Sequence, residues 1–149
     1  MPGALTVRII NTLDAMVGYK NEENILIGWF PAKLDDIINY IPARFCGLLI
    51  VLAAFLLKLD YKNSYRVMRR DAGVTPSPNS GFSMAATAGA LNVQLVKPNT
   101  YILGDSNENL TTTKITDAIK LTKMTILLFI IITYIFFKIV YTFIPIIFI

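Results

Sequence analysis

The stretch that decides the fold is MTILLFIIITYIFFKIVYTFIPIIFI, Met124 to Ile149, in which Lys138 is the sole charge. As an α-helix it extends roughly 39 Å against a hydrocarbon core of about 30 Å, so it can cross a bilayer. Lys138 near its middle costs about 2.5 to 3.5 kcal/mol if it faces lipid, so its ammonium snorkels to the interface or faces protein. The rest of the composition agrees: 54% hydrophobic residues, 16% charged and a mean hydropathy of +0.56 are more apolar than a water-soluble fold of 149 residues can hide.

Working outward, Phe45 to Leu57 is a second apolar run, closed by Lys58 and Leu59. At about 22 Å as a helix, residues 45 to 59 are marginal for a span. Pro42 lies just ahead and frees the carbonyl four residues earlier, so a longer helix starting near Pro31 is expected to kink there. A kinked or partly re-entrant helix competes with a simple span.

The N-terminal residues have no charged, apolar and cleavable sequence of the signal-peptide kind. Ile9, Ile10, Leu13, Met16 and Val17 share one helical face, with Arg8, Asn11 and Asp14 opposite and Gly18 as a natural stop. Pro31 suits a first helical position, and Leu34, Ile37, Ile38 and Ile41 follow at helical spacing, with Asp35, Asp36 and Asn39 on the polar side.

Residues 60 to 123 carry eight basic and five acidic side chains, which places them on the cytoplasmic side by the positive-inside rule. Lys62, Arg66, Arg69 and Arg70 recur at helical spacing and predict one basic stripe, which could meet lipid headgroups. The net charge of +4, without interleaved basic and aromatic clusters, argues against nucleic acid. Cys46 is the single cysteine and histidine is absent, which excludes an internal disulfide, a four-ligand zinc site and the usual neutral-pH base.

Thr75-Pro76-Ser77-Pro78-Asn79-Ser80-Gly81 precedes the small-residue run Ser83 to Ala90. The prolines stiffen the approach, and Asn79, Ser80 and Gly81 offer capping groups and amides at a helix start, a place that can hold phosphate or carboxylate. Gly81, Ala85 and Gly89 recur every four residues, which permits close helix packing. Residue chemistry alone leaves both readings open, a turn with a packing helix and an anion site.

Together, Asn11 to Tyr19 (NTLDAMVGY), Leu34-Asp35-Asp36 with Asn39, Ile41-Pro42-Ala43-Arg44, Arg70-Asp71, Ser77 to Gly81 and Ala88-Gly89-Ala90-Leu91 resemble the adenosylcobinamide-phosphate synthases of cobalamin biosynthesis. The order and spacing of these motifs over residues 2 to about 104, followed by a hydrophobic helix, carry the resemblance, which covers the C-terminal half of the family pattern. Asn92 stands where members usually have glycine.

The resemblance implies an ATP-dependent membrane ligase that joins aminopropanol or its phosphate to a propionate of adenosylcobyric acid, with ATP and magnesium required. Asp14, Asp35, Asp36 and Asp71 are then catalytic candidates, the first three also as magnesium ligands, because hard cations take carboxylate oxygens. Asn11, Arg44, Arg70, Ser77, Asn79, Ser80 and Gly81 are candidates for binding substrate or phosphate. The simpler role of the carboxylates is to solvate the polar helix faces, and Arg66 serves equally well in surface pairing. Members carry another half ahead of the Asn-Thr-Leu-Asp segment, so a separate chain could supply it and the isolated chain is expected to be inactive. A noncatalytic membrane scaffold or assembly subunit of the corrinoid pathway is the second reading.

The expected architecture is all-α, an integral membrane protein with amphipathic interfacial helices over 1-43, a kinked membrane-inserted helix over 44-59, a cytoplasmic loop region with the TPSPNSG turn and small-residue helix over 60-123, and a transmembrane helix over 124-149. It belongs in the cell membrane, multi-pass, or single-pass with a re-entrant helix. If residues 45 to 59 spanned fully, Asp14, Asp35 and Asp36 would lie across the membrane from Arg70 and Asn79. The short block is therefore expected not to cross completely, which keeps both clusters on the cytoplasmic face.

Overall fold

A computed structural model describes residues 2–17 and 27–147. The element order among them is α1 (Pro2–Val17), α2 (Trp29–Ile38), α3 (Tyr40–Leu56), α4 (Tyr61–Asp71), α5 (Ser80–Leu91), β1 (Leu95–Lys97), β2 (Tyr101–Leu103) and α6 (Thr112–Ile147). Gly18, the expected stop of the first helix, lies outside the described residues.

Helices α2 and α3 are one helix broken at Asn39 and bent by 45°. Pro42 has no N–H to offer the Ile38 carbonyl, which is why the ladder opens there. It opens for one residue only, since the Asn39 N–H still donates to the Asp35 carbonyl (2.9 Å) and the Ala43 N–H to the Asn39 carbonyl (3.0 Å). Pro31 is the third residue of α2 rather than the first, a place equally free of any intrahelical demand on its nitrogen.

Asp60 caps α4, its side chain accepting the Asn63 N–H at 2.9 Å. Arg69 and Arg70 fall in the last turn, where the helix dipole favours cations. The basic stripe faces solvent as the spacing predicts, and the opposite face buries Asn63, Ser64, Val67, Met68 and Asp71.

That buried face meets α5 at close range. A Cβ on Gly89 would lie 2.6 Å from the Asn63 carbonyl oxygen and 2.8 Å from the Ser64 Cα, and one on Gly81 would overlap the Ala72 carbonyl. Ala85 between them is fully buried. The small-residue repeat therefore brings two backbones together, and Ser64 uses the proximity to donate to the Ala86 carbonyl at 2.8 Å. Helix α3 closes the other side, and Ile50, Ala53, Ala54, Met68, Ala86, Ala90 and Leu121 form the shared core.

Asn92 ends α5 in the left-handed region (φ 56°, ψ 35°). Glycine takes that conformation most readily and asparagine next, so the departure from the family pattern is conformationally mild. The Asn92 side chain also accepts from Asn63 Nδ2 at 2.6 Å.

The expectation of an all-α chain is corrected by a small antiparallel hairpin, with Leu95 opposite Leu103 and Lys97 opposite Tyr101. Leu-Val-Lys and Tyr-Ile-Leu flank Pro98-Asn99-Thr100, and Asn99 adopts φ 57° in the turn. Residues 60 to 123 are thus mostly folded, as two helices, a hairpin and the first turns of α6.

Helix α6 begins at Thr112, twelve residues before Met124. Its first part is polar on one side, with a Lys120–Asp117 pair at 3.1 Å, and packs Leu121 and Thr125 against the core, so hydropathy does not register it. Between Phe129 and Phe143 most of its large side chains stand exposed. Thr112–Phe143 is the one helix among the described residues that is long and apolar enough to cross a membrane, and the bent α2–α3 pair adds a second candidate if it is one broken span. Of the expected apolar face of α1, Ile10 is buried and Ile9, Leu13 and Met16 are exposed, while the Val17 side chain lies outside the description.

Candidate functional site

Polar side chains converge where the C-terminus of α2, the N-termini of α3 and α5 and the loop 72–79 meet. Asn79 is the joint. It is nearly buried, its Nδ2 donates to the Asp36 carbonyl at 2.9 Å, and its Oδ1 accepts from Arg44 Nη1 at 3.3 Å. Its own N–H donates to Ser77 Oγ at 3.3 Å. The expected capping bond from the Asn79 side chain is not made, because that side chain ties α5 to the break between α2 and α3 instead.

Around this joint the motif turn is braced from within. Thr75 Oγ1 donates to the Ser77 carbonyl at 2.8 Å, and Ser80 Oγ donates to Thr75 Oγ1 at 3.2 Å. Gly81 is buried against Ala72, so its role here is close approach. Arg44 is stacked, its guanidinium carbon 3.3 Å from the Tyr40 ring centroid and 4.4 Å from that of Phe82, while Nη1 also donates to the Tyr40 carbonyl at 2.7 Å. Such a held guanidinium has limited freedom to reach a new ligand.

The three carboxylates expected to act together do approach one another. Burial first, and then the charges of Asp35 and Asp36, raise the pKa of Asp14 above its ordinary value. Asn11 Nδ2 donates to Asp35 Oδ1 at 3.4 Å. Among the described residues, however, no three carboxylate, cysteine or histidine side chains are placed to enclose a metal ion. Magnesium commonly needs fewer, since it takes one or two carboxylates together with nucleotide phosphates and water.

A second cluster forms at the end of α4. Asp71 is buried and receives the Arg70 fork, Nε to Oδ1 at 2.6 Å and Nη2 to Oδ2 at 2.8 Å. Oδ2 also accepts the Gly104 N–H at 2.8 Å, which ties the hairpin exit to α4. Arg66 Nη2 and Arg70 Nη1 both reach Asp105, at 2.6 and 2.8 Å. The hydrogen bond from Arg70 is the main cause that lowers the pKa of Asp71 and of Asp105, and it raises that of Arg70 in return.

Asp36 and Asn79 are hydrogen-bonded and Ala72 touches Gly81, so the carboxylates of α1 and α2 and the Arg70-Asp71 pair gather at one end of the α3–α4–α5 core. Helix α4 returns the chain to the starting end of α3. The two clusters thus lie together at the starting end of α3 and not at its opposite ends.

Sequence reasoning missed Asn63, Ser64, Thr75 and Asp105. The first two were legible as polar residues on the buried side of the α4 stripe. Asp105 was not, since only the hairpin brings it to Arg66 and Arg70.

Two expected outcomes follow. Asn79→Asp keeps an acceptor for Arg44 but removes the donor to Asp36, setting a carboxylate against a carbonyl. The cost is about 1 to 3 kcal/mol, read as a lowered unfolding midpoint and easier proteolysis ahead of α3. Acid should also destabilise the fold through Asp71 and Asp105. Their folded pKa values lie below the unfolded ones, so their stabilisation is complete above about pH 4 and is lost as pH falls through the depressed values. Asp14 acts oppositely, its raised value favouring the protonated fold. Unfolding midpoints measured from pH 5 to pH 2.5 should fall less steeply in Asp71→Asn than in the unaltered chain.

Comparison with known proteins adds an independent finding. The sequence pattern of the CobD/Cbib protein family matches residues 1–139. The chain is 58% identical over 129 residues to the probable cobalamin biosynthesis protein CobD of Methanothermobacter thermautotrophicus, covering 87% of this chain and 43% of that protein. It is 43% identical over 132 residues to the probable cobalamin biosynthesis protein CobD of Methanocaldococcus jannaschii (89% and 42%). With the cobalamin biosynthesis protein CobD of Leptospira interrogans it shares 41% over 147 residues (93% and 45%). The chain spans less than half the length of these relatives. No solved structure matches it.

Proposed function

The chain belongs to the CobD/Cbib protein family, and from that premise we propose that it acts in cobalamin biosynthesis as the C-terminal part of a membrane-bound adenosylcobinamide-phosphate synthase. The observation that carries this reading furthest is the Asn79 joint, which ties the motif segments of Asp36, Arg44 and Ser77 to one another, with Asn11 reaching Asp35 beside it.

The reaction is an ATP-dependent amide ligation. A corrinoid propionate takes the γ-phosphoryl group of ATP and ADP leaves; the amine of aminopropanol or its phosphate then attacks the acyl carbon, phosphate leaves, and the amine proton passes to a base. With no histidine in the chain, Asp35 or Asp36 is the proton acceptor in this reading. Arg70, oriented by Asp71, faces phosphate, while Arg44 and Asn79 hold the shape of the pocket wall. Magnesium would enter with the nucleotide, carried by one or two of Asp14, Asp35 and Asp36 and by the phosphates, and would neutralise charge on the transferring group. Asn79→Asp should lower synthesis at least about tenfold, equivalent to roughly 1.4 kcal/mol.

In the membrane, α6 is the span, α1 lies in the interface with its uncovered apolar face toward lipid, and the bent α2–α3 pair enters without crossing. This arrangement keeps the polar end on the cytoplasmic side, where ATP is found. The remainder of the family's length completes the corrinoid pocket, in the same polypeptide or a second one.

Photolabelling tests the site. Membranes holding the chain, washed with carbonate, should retain it and incorporate azido-ATP with magnesium, with excess ATP suppressing the label. Release of the chain by carbonate would defeat the membrane placement, and labelling indifferent to excess ATP would defeat the nucleotide site.

A further inference from the structure

Arg66 and Arg70 stand one turn apart on the exposed face of α4, and each is oriented by a buried neighbour. Arg70 is gripped by Asp71. Arg66 donates Nε and Nη2 to Asn63 Oδ1 at 3.0 and 2.6 Å, and Asn63 is fixed in turn by bonds to the Gly89 carbonyl (3.0 Å) and Asn92. One further bond from each arginine reaches a single carboxylate, Arg66 Nη2 to Asp105 Oδ2 and Arg70 Nη1 to Asp105 Oδ1. Two pre-oriented guanidinium groups aimed at adjacent oxygens make the geometry that recognises a phosphate.

Asp105 comes to that position from outside α4. It follows Gly104, whose φ of 79° and whose contact with the Val93 carbonyl leave no room for a side chain, and it opens the irregular segment 105–111. Both ion pairs are partly exposed, Arg66 by 57% and Asp105 by 29%, so each is weak and exchangeable. Two exposed pairs are a poor fastening for a hairpin that Asp71 already secures through Gly104.

We propose that Arg66 and Arg70 form a phosphate-binding site whose resting occupant is the chain's own Asp105, displaced when a phosphate-bearing ligand arrives. The site admits a ligand that can outcompete one carboxylate, which selects dianionic phosphate over singly charged anions. It rests on the functional reading above only in taking Arg70 to face phosphate. Arg66 and Asp105 are additions to that reading.

The test measures binding without turnover, so its failure is separable from failure of the ligase assignment. Inorganic pyrophosphate is titrated calorimetrically, at low ionic strength, into the full 149-residue chain in detergent. Asp105→Asn should bind about fivefold more tightly than the unaltered chain, the scale set by releasing two exposed ion pairs. Asp105→Ser should do the same, which guards against a defect peculiar to one variant. Glu108→Gln removes the same charge from the same segment, but Glu108 pairs with Lys114 (2.7 Å), so it should leave affinity unchanged. Arg66→Gln placed in the Asp105→Asn background should abolish the gain. Competition by soluble dihexanoyl phosphatidic acid would identify a lipid phosphate as the natural source, and its failure to compete would identify a soluble one. Pyrophosphate affinity that is unchanged or weakened in both Asp105 variants, or raised equally by Glu108→Gln, overturns the proposal and leaves Asp105 a fastening of the hairpin.

Discussion

Gly81→Ala is expected to push α4 away from α5 and to cause a large stability loss for a single added methyl. The new Cβ would overlap the Ala72 carbonyl, with the Ala72 carbonyl carbon at 2.7 Å and its Cα at 2.9 Å. All of these are backbone atoms, so no side-chain rotation relieves the clash, and the penalty lies at or above the upper end of the usual 1 to 3 kcal/mol for overpacking, roughly 3 kcal/mol. Gly89→Ala should behave similarly, since its nearest neighbours include the Asn63 carbonyl and the Ser64 Cα. Gly73→Ala meets nothing within 4 Å and should stay within about 0.5 kcal/mol of the unaltered chain. Thermal unfolding of the three variants in detergent, followed by circular dichroism, checks the order.

The second large effect belongs to Asp71→Asn. The carboxylate holds the Arg70 fork on one side and the Gly104 amide on the other. An amide in its place turns an NH2 group toward a donor, so at least one charge-assisted bond is lost at a buried position. Arg70 is 43% exposed and can turn toward water, which softens the loss to about 2 kcal/mol. Asp71→Glu should not restore the midpoint, because the longer side chain cannot meet both partners. Release of the Gly104 tie should also be visible as faster amide exchange in the hairpin than in α3.

The helices were legible because their causes are local. Pro42 marked the break between α2 and α3, the basic stripe of α4 followed from spacing, and Gly81, Ala85 and Gly89 announced a close helix contact. The start of α6 was not legible from hydropathy, since Thr112 to Lys123 is helical for reasons of packing on one side while remaining polar on the other. The hairpin was hidden by the shortness of its strands, three residues each around Pro98-Asn99.

The site divides along the same line. Arg70 with Asp71, and Asn79 with Arg44, were named as candidates from the motifs, and the fold joins each pair directly. What each residue does at the joint depended on contacts between segments far apart in sequence. Asn79 bridges to a carbonyl 43 positions earlier, where its residue type suggested a helix cap. Asp105 reaches Arg66 and Arg70 across 39 and 35 positions, and nothing near it in sequence suggests the pairing.

The central claim, that this chain supplies an indispensable part of an adenosylcobinamide-phosphate synthase, is met most directly by following labelled aminopropanol phosphate into corrinoid. Membranes containing the chain together with the remainder of the family's length, supplied with adenosylcobyric acid, ATP and magnesium, should form labelled adenosylcobinamide phosphate. The label should disappear when ATP or this chain is omitted, and fall at least about tenfold with Asn79→Asp. Equal labelling without the chain, or full labelling with Asp35, Asp36 and Arg70 all replaced, would contradict the account.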